Sequence, residues 1–209
     1  MKITNIEQQK RNANRVNIYC DGTYTFSLTK NGLVDYYIYV DKEITKEEIE
    51  DITKKDNVNS GMNYALNYLG YGMKTKQEIY NKLVSKDIEE QYIDIIIKKL
   101  ESYGYINDIV YIETYIKSKA IPSKWGKQKV IQNLMQKGID RKTVEEIINQ
   151  NEDFLDNEDR ILSLAQKKYN SFKKEDNEYK KKDKVSKYLL SRGYSWEEIS
   201  SVWDKLEKE

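Results

Sequence analysis

The chain has 209 residues, of which 38% are hydrophobic and 34% charged, and its formal net charge is +1. That supplies apolar material for packed cores but no membrane span, since no run approaches the roughly 18 apolar residues one needs, and with a polar opening, Met1–Gln9, no leader peptide is expected. With no histidine, a single cysteine (Cys20), no G-x-x-x-x-G-K-[ST] loop and no G-x-G-x-x-G, the chain reads as a non-catalytic cytoplasmic protein without metal or cofactor.

Residues 1–57 read as an N-terminal β-hairpin followed by a short helix. Val16, Ile18 and Cys20 alternate with polar neighbours, Asp21-Gly22 follows, and then Tyr24, Phe26 and Leu28 alternate again. Alternation on both sides of Asp-Gly predicts two strands and a type I′ turn, because both central residues of that turn need φ > 0. Ile3 to Gln8 offers a third strand. A lone hairpin is marginal in water, so this cap is expected to pack on helices.

From Thr45 the apolar period becomes helical. Thr45–Glu48, Thr75–Glu78 and Ser195–Glu198 each fit the S/T-x-x-E capping box, in which hydroxyl and carboxylate satisfy two orphan amides reciprocally. Further helices are expected at about 60–72, 108–120 and 157–170. Pro122, the only proline, reads as a bend or linker. Residues 151–159 read as an acidic helix start or joint, and 170–183 as the most loop-like part of the helical region.

An internal repeat organises this region. Segments 82–97, 133–148 and 188–203 align without gaps. Leu83, Leu134 and Leu189 correspond, then Lys86, Lys137 and Arg192, then Asp87, Gly138 and Gly193. Ile88, Ile139 and Tyr194 follow, then Ile93, Val144 and Ile199, and finally Ile96, Ile147 and Val202. Each segment reads as a helix ending in a cation, a left-handed residue, an apolar residue under the finished helix, and a second helix. With the upstream helices this predicts three three-helix repeats, at 58–107, 108–150 and 151–209. The fold class is mainly α: tandem repeats in an elongated, curved array with a small β-hairpin cap. A helix–turn–helix DNA reader is disfavoured, because Glu89-Glu90 and Glu197-Glu198 at the second-helix starts would repel phosphate.

Charge is uneven. Residues 108–150 carry 8 basic and 5 acidic groups, the one clear surplus among these regions. Lys117, Lys119, Lys124, Lys127 and Lys129 occur there with no acidic residue between them and with Trp125 interleaved. Such a run suits a phosphate backbone and a stacked base, and equally a solvated face with Trp125 as a core anchor. Arg141 and Lys142 start the second helix of the aligned pair. A further basic stretch holds Lys167, Lys168, Lys173, Lys174, Lys180, Lys181 and Lys182, which suits DNA, an acidic protein surface or an ordinary solvated loop.

These segments together resemble the RecX regulatory proteins of bacteria. Ala65-Leu-Asn-Tyr-Leu with Thr75-Lys-Gln-Glu-Ile-Tyr-Asn-Lys-Leu is similar to that family's opening signature. Leu100-Glu-Ser-Tyr-Gly-Tyr-Ile-Asn-Asp resembles its first junction. Lys124-Trp-Gly-Lys-Gln-Lys-Val and Lys187-Tyr-Leu-Leu-Ser-Arg-Gly-Tyr resemble its second and third units. Asp87 stands where the family usually has glycine, and Gly70–Met73 where it usually carries arginine. The resemblance implies a regulator that binds the RecA recombinase filament on single-stranded DNA, directly or through the filament, and limits its assembly, ATPase and strand exchange. A monomer is expected. A stand-alone DNA-binding protein using the middle basic repeat, or a helical scaffold for another protein, are the alternatives.

Overall fold

The computed structural model describes residues 1–10, 12–150, 158–172 and 177–206. Of the expected acidic helix start or joint at 151–159, residues 151–157 lie outside the described residues, as do Lys173 and Lys174, while Glu158 and Asp159 open a helix. Two compact units result, one of Met1–Lys74 with Glu78–Ile106, the other of Thr75–Gln77 with Asn107–Glu209.

The first unit opens with an antiparallel sheet of order β1-β2-β3: β1 (Ile3–Gln8), β2 (Arg15–Cys20) and β3 (Thr23–Thr29). The hairpin turn is as expected: Cys20 pairs with Thr23, and Asp21 and Gly22 have φ of 50° and 83°. Val16, Ile18, Cys20, Phe26 and Leu28 point into one core with Ile3, Ile38, Ile44 and Ile49. Tyr24 departs from the alternation. It is exposed and meets Tyr19 edge-on.

A short helix not anticipated from the sequence, α1 (Lys30–Asp35), follows β3 directly. Its cap is Thr29, whose hydroxyl accepts from Gly32 N at 3.0 Å and donates to Oδ1 of the buried Asp56 at 2.5 Å. Thr29 N donates to Asp56 Oδ2 at 2.9 Å. One carboxylate thus ties the strand end and the α1 cap to the next helix, α2.

α2 is Lys46–Leu69, a single helix of 24 residues, where the sequence suggested a short helix before 58 and another from about 60. The polar run 56–61 looks like a break, but its members are occupied elsewhere. Asp56 serves Thr29. Asn57 donates to the Thr53 carbonyl at 2.8 Å and accepts from Arg15 at 3.2 Å. Gly61 lies under Ile96, whose side chain would overlap a Cβ there. The Thr45–Glu48 capping box starts α2 with both of its hydrogen bonds formed. α3 (Lys76–Val84) and α4 (Glu90–Ser102) follow, and Ala65, Ile79, Leu83, Ile93, Ile96 and Leu100 are the fully buried centre of this repeat.

In the second unit, α5 (Asp108–Tyr115) continues through a π-helical turn, Ile116–Ala120, into α6 (Ile121–Ser123). Pro122 therefore lies inside a helix and not in a linker. Ile121 N bonds to Ile116 O, five residues back, and this widened turn accommodates the ring and the missing N–H. Lys124 ends the helix in the left-handed region, φ 52°. α7 (Lys127–Met135) and α8 (Arg141–Asn149) close the second repeat around Ile112, Ile116, Val130, Leu134, Val144 and Ile148. α9 (Glu158–Ser171), α10 (Glu178–Ser191) and α11 (Trp196–Leu206) form the third, around Ile161, Ala165, Val185, Leu189, Tyr194 and Ile199. Residues 178–183, read as loop, are helical. Asn177 caps them by accepting from Lys180 N, and lysine is a good helix former. The Ser195–Glu198 box is formed. The Thr75 hydroxyl, fully buried, donates to the Lys137 carbonyl at 2.7 Å.

The three joints are copies of one another. Asp87, Gly138 and Gly193 have φ of 57°, 81° and 89°. Their amides bond to Val84, Met135 and Leu190 carbonyls. The next residue in each, Ile88, Ile139 or Tyr194, bonds to Leu83, Leu134 or Leu189 and is buried. Asp87 alone holds the left-handed conformation with a side chain. Asp87→Gly is expected to raise stability by about 0.5 kcal/mol, measured by urea unfolding. A loss would show that the carboxylate makes a stabilising contact that outweighs its strain.

Candidate functional site

The basic run of the second repeat begins on the π-helical turn, crosses the end of α6 and enters α7. The carbonyls at a helix end form the negative pole of its dipole, and cations collect there. Arg160 of α9 donates through Nη2 to the Ala120 and Ile121 carbonyls at 2.8 and 3.0 Å. Arg192, at the third joint, donates to the Ser123 carbonyl at 2.9 Å. Tyr194 donates its hydroxyl to the Lys124 carbonyl at 3.1 Å. Burial pushes that phenol above its ordinary range, against the opposing pull of Arg160.

Backbone locks to backbone beside these contacts. Gly126 N donates to Arg192 O at 2.8 Å and Gln128 N to Gly193 O at 3.1 Å. A Cβ on Gly126 would stand 2.5 Å from the Gly193 oxygen, so only glycine permits this approach. The run from Ala120 to Gln128 is therefore held at six residues by the third repeat.

The expected site residues fall into different environments. Lys117, Lys119 and Lys124 are exposed and have no ion-pair partner among the described residues. Trp125 is half-buried against the second core, its ring 6.3 Å from Tyr115, so it anchors the run. Lys127 donates to Asn149 Oδ1 at 2.7 Å, and Lys129 is half-buried with its backbone against Gly193. Arg141 and Lys142 pair with Glu145 and Glu146, four residues on, at 2.7 and 3.8 Å. Their charge is matched locally.

In the third repeat half of the described lysines lie over rings. Lys168 sits over Phe172 and Tyr188, at 5.0 and 5.1 Å. Lys181 sits over Tyr169 and pairs with Glu178, and Lys182 sits over Trp203. Their stems cover aromatic surface while the ammonium groups stay near water. Lys167 and Lys180 are exposed.

The sequence reading missed Arg160 as a brace and saw Arg192 only as the cation of its own joint. Arginine's scarcity was the available signal. The chain has 5 arginines among its 36 basic residues. Arg15, Arg160 and Arg192 each take work that a point-charge ammonium does poorly, bonding several acceptors at once or a carbonyl together with a ring.

Comparison with known proteins agrees with this architecture. Models of the RecX N-terminal domain and of the first, second and third RecX three-helix domains match residues 1–45, 62–100, 107–148 and 156–203. The regulatory protein RecX of Clostridium beijerinckii is 36% identical over 98% of this chain and 95% of its own length. This chain belongs to the RecX family. The RecX protein of Clostridium perfringens strain SM101 is 37% identical over 98% of this chain and 96% of its own. A crystal structure of regulatory protein RecX superposes with a TM-score of 0.67 at 28% identity, covering 100% of this chain and 99% of that one. RecX from Lactobacillus salivarius gives 0.67 at 34% identity, over 74% of this chain and 99% of its own. Its relatives are named as regulatory proteins.

Proposed function

We propose that this protein, working in the cytoplasm without chemistry of its own, regulates the RecA recombinase by binding its filament on single-stranded DNA and limiting ATP hydrolysis and strand exchange. Membership of the RecX family supports the partner. The observation that carries the contact is the braced basic run. Lys117, Lys119 and Lys124 stand exposed on backbone that Arg160, Arg192 and Tyr194 hold in place. Cations fixed in advance lose less entropy on meeting a phosphate backbone or an acidic subunit edge. Of the lysines expected alongside them from the sequence, Lys127 is bonded to Asn149 and Lys129 is half-buried, so both contribute less on this reading.

The test is RecA-dependent ATP hydrolysis on single-stranded DNA, with binding to bare DNA followed in parallel. Charge reversal of Lys117, Lys119 and Lys124 together is expected to raise the half-inhibitory concentration about tenfold or more, and to flatten its salt dependence, with the unfolding midpoint unchanged. Unaltered inhibition by that variant removes this run from the mechanism. Tight binding to bare DNA without inhibition points instead to a DNA-binding protein acting alone.

A further inference from the structure

The first unit contains a recessed surface, far in sequence from the basic run. A cleft of about 330 Å³ lies between α1 and the middle of α2. Its chemistry is carboxamide. Asn59, Asn63 and Asn67 line one wall, while Asn14 and Asn31 come from β2's approach and α1. These three are the only asparagines in the chain that recur at four-residue steps. Asn63 and Asn67 have no side-chain hydrogen bond among the described residues, and Asn59 makes only a long one, 3.5 Å, to the Tyr36 hydroxyl. Ser60 Oγ, also lining the cleft, is buried without a partner among the described residues.

We propose that this cleft binds an extended, uncharged segment of a partner protein through its main chain. Steps of four residues on a helix advance about 6 Å along its axis. Alternate residues of an extended strand advance about 6.4–6.8 Å and present N–H and C=O toward the same edge. A carboxamide offers one acceptor and a two-proton donor, the complement of that pair. Because four residues turn the helix about 40° past a full circle, the row runs inclined to its axis, and three rungs laid along that row accumulate a mismatch of only about 1 Å. Charge argues against phosphate ligands: the cleft lining has one cation, Lys30, against Asp35 and Asp56, and Asp56 is committed to Thr29. A sugar or base would want an open aromatic face. Tyr64 has Lys86 over its ring, and the Tyr36 hydroxyl is bonded to Asn59. The inference is independent of the basic run and of the RecA reading.

The test uses the full-length, nitrogen-15-labelled protein titrated with the peptide acetyl-Thr-Ala-Thr-Ala-Thr-amide up to about 10 mM. The side-chain amide resonances of Asn59, Asn63 and Asn67 are expected to shift saturably. Asn63→Leu and, separately, Asn67→Ala are each expected to weaken binding about tenfold with unchanged thermal unfolding, since both positions are exposed. The same peptide N-methylated at alternate residues is expected to bind at least about tenfold more weakly, because its main-chain donors are gone. Absence of saturable shifts, equal binding of the N-methylated peptide, or a response to adenosine monophosphate or glucose but not to peptide would overturn the proposal.

Discussion

Gly193→Ala is expected to destabilise the second unit by about 3 kcal/mol or more. Three costs add. A side chain at φ 89° is strained by about 1 kcal/mol. The new Cβ would overlap the backbone nitrogen of Lys129 and stand 2.8 Å from its Cα, so backbone rather than a flexible side chain would have to move. That movement pulls on the Gly126–Arg192 and Gln128–Gly193 hydrogen bonds, each worth about 1 kcal/mol. Trp125, Trp196 and Trp203, the only tryptophans, all lie in the second unit. Tryptophan fluorescence during urea unfolding therefore reads this change directly. Gly138→Ala is the internal comparison. Its Cβ would stand 2.2 Å from the Cβ of Gln77, which no rotamer change can move, so a loss of similar size is expected. Equal midpoints for Gly193→Ala and the unmodified protein would show that the joint is not closed in solution.

Asp56→Ala is expected to cost about 2–4 kcal/mol in the first unit. The carboxylate is 4% exposed and holds both the Thr29 amide and the Thr29 hydroxyl. Its removal leaves a buried N–H without an acceptor and releases the hydroxyl that caps α1. Asp56→Asn keeps the shape and one acceptor and should lose roughly half as much. Because tryptophan does not report on this unit, the readout is hydrogen exchange. The Thr29 and Gly32 amides should lose protection first while Ile18 and Leu28 follow the global transition. Retained protection at Thr29 would mean that the sheet end is held from elsewhere.

What could be read from the residues alone was what neighbouring residues decide. Asp21-Gly22 dictates its own turn, and a cation followed by glycine and an apolar residue dictates its own helix stop. Both therefore survived contact with the structure, and Asp87 filled the glycine position at a tolerable strain. The failures share a cause of the opposite kind. The polar stretch 56–61 resembles a loop until Thr29 and Arg15, distant in sequence, claim Asp56 and Asn57. Pro122 resembles a linker until a π-helical turn makes room for it. Lys180–Lys182 resemble solvated coil until Tyr169 and Trp203 are beneath two of them. The candidate site divides in the same way. Its lysines could be found by counting charge, but the contacts that fix it span 39 to 70 residues of sequence, and no periodicity carries that information.

The dependence of the basic run on the third repeat has an evolutionary side. Exposed lysines can be exchanged for one another, shifted by a turn or lost singly at little structural expense. Gly126 and Gly193 have no such latitude, since a Cβ at either would overlap backbone, and Arg160 and Arg192 each hold backbone carbonyls of the run. Drift in this protein is thus steered by the scaffold behind the charges, and a lineage could retune what the run touches while leaving untouched the machinery that aims it.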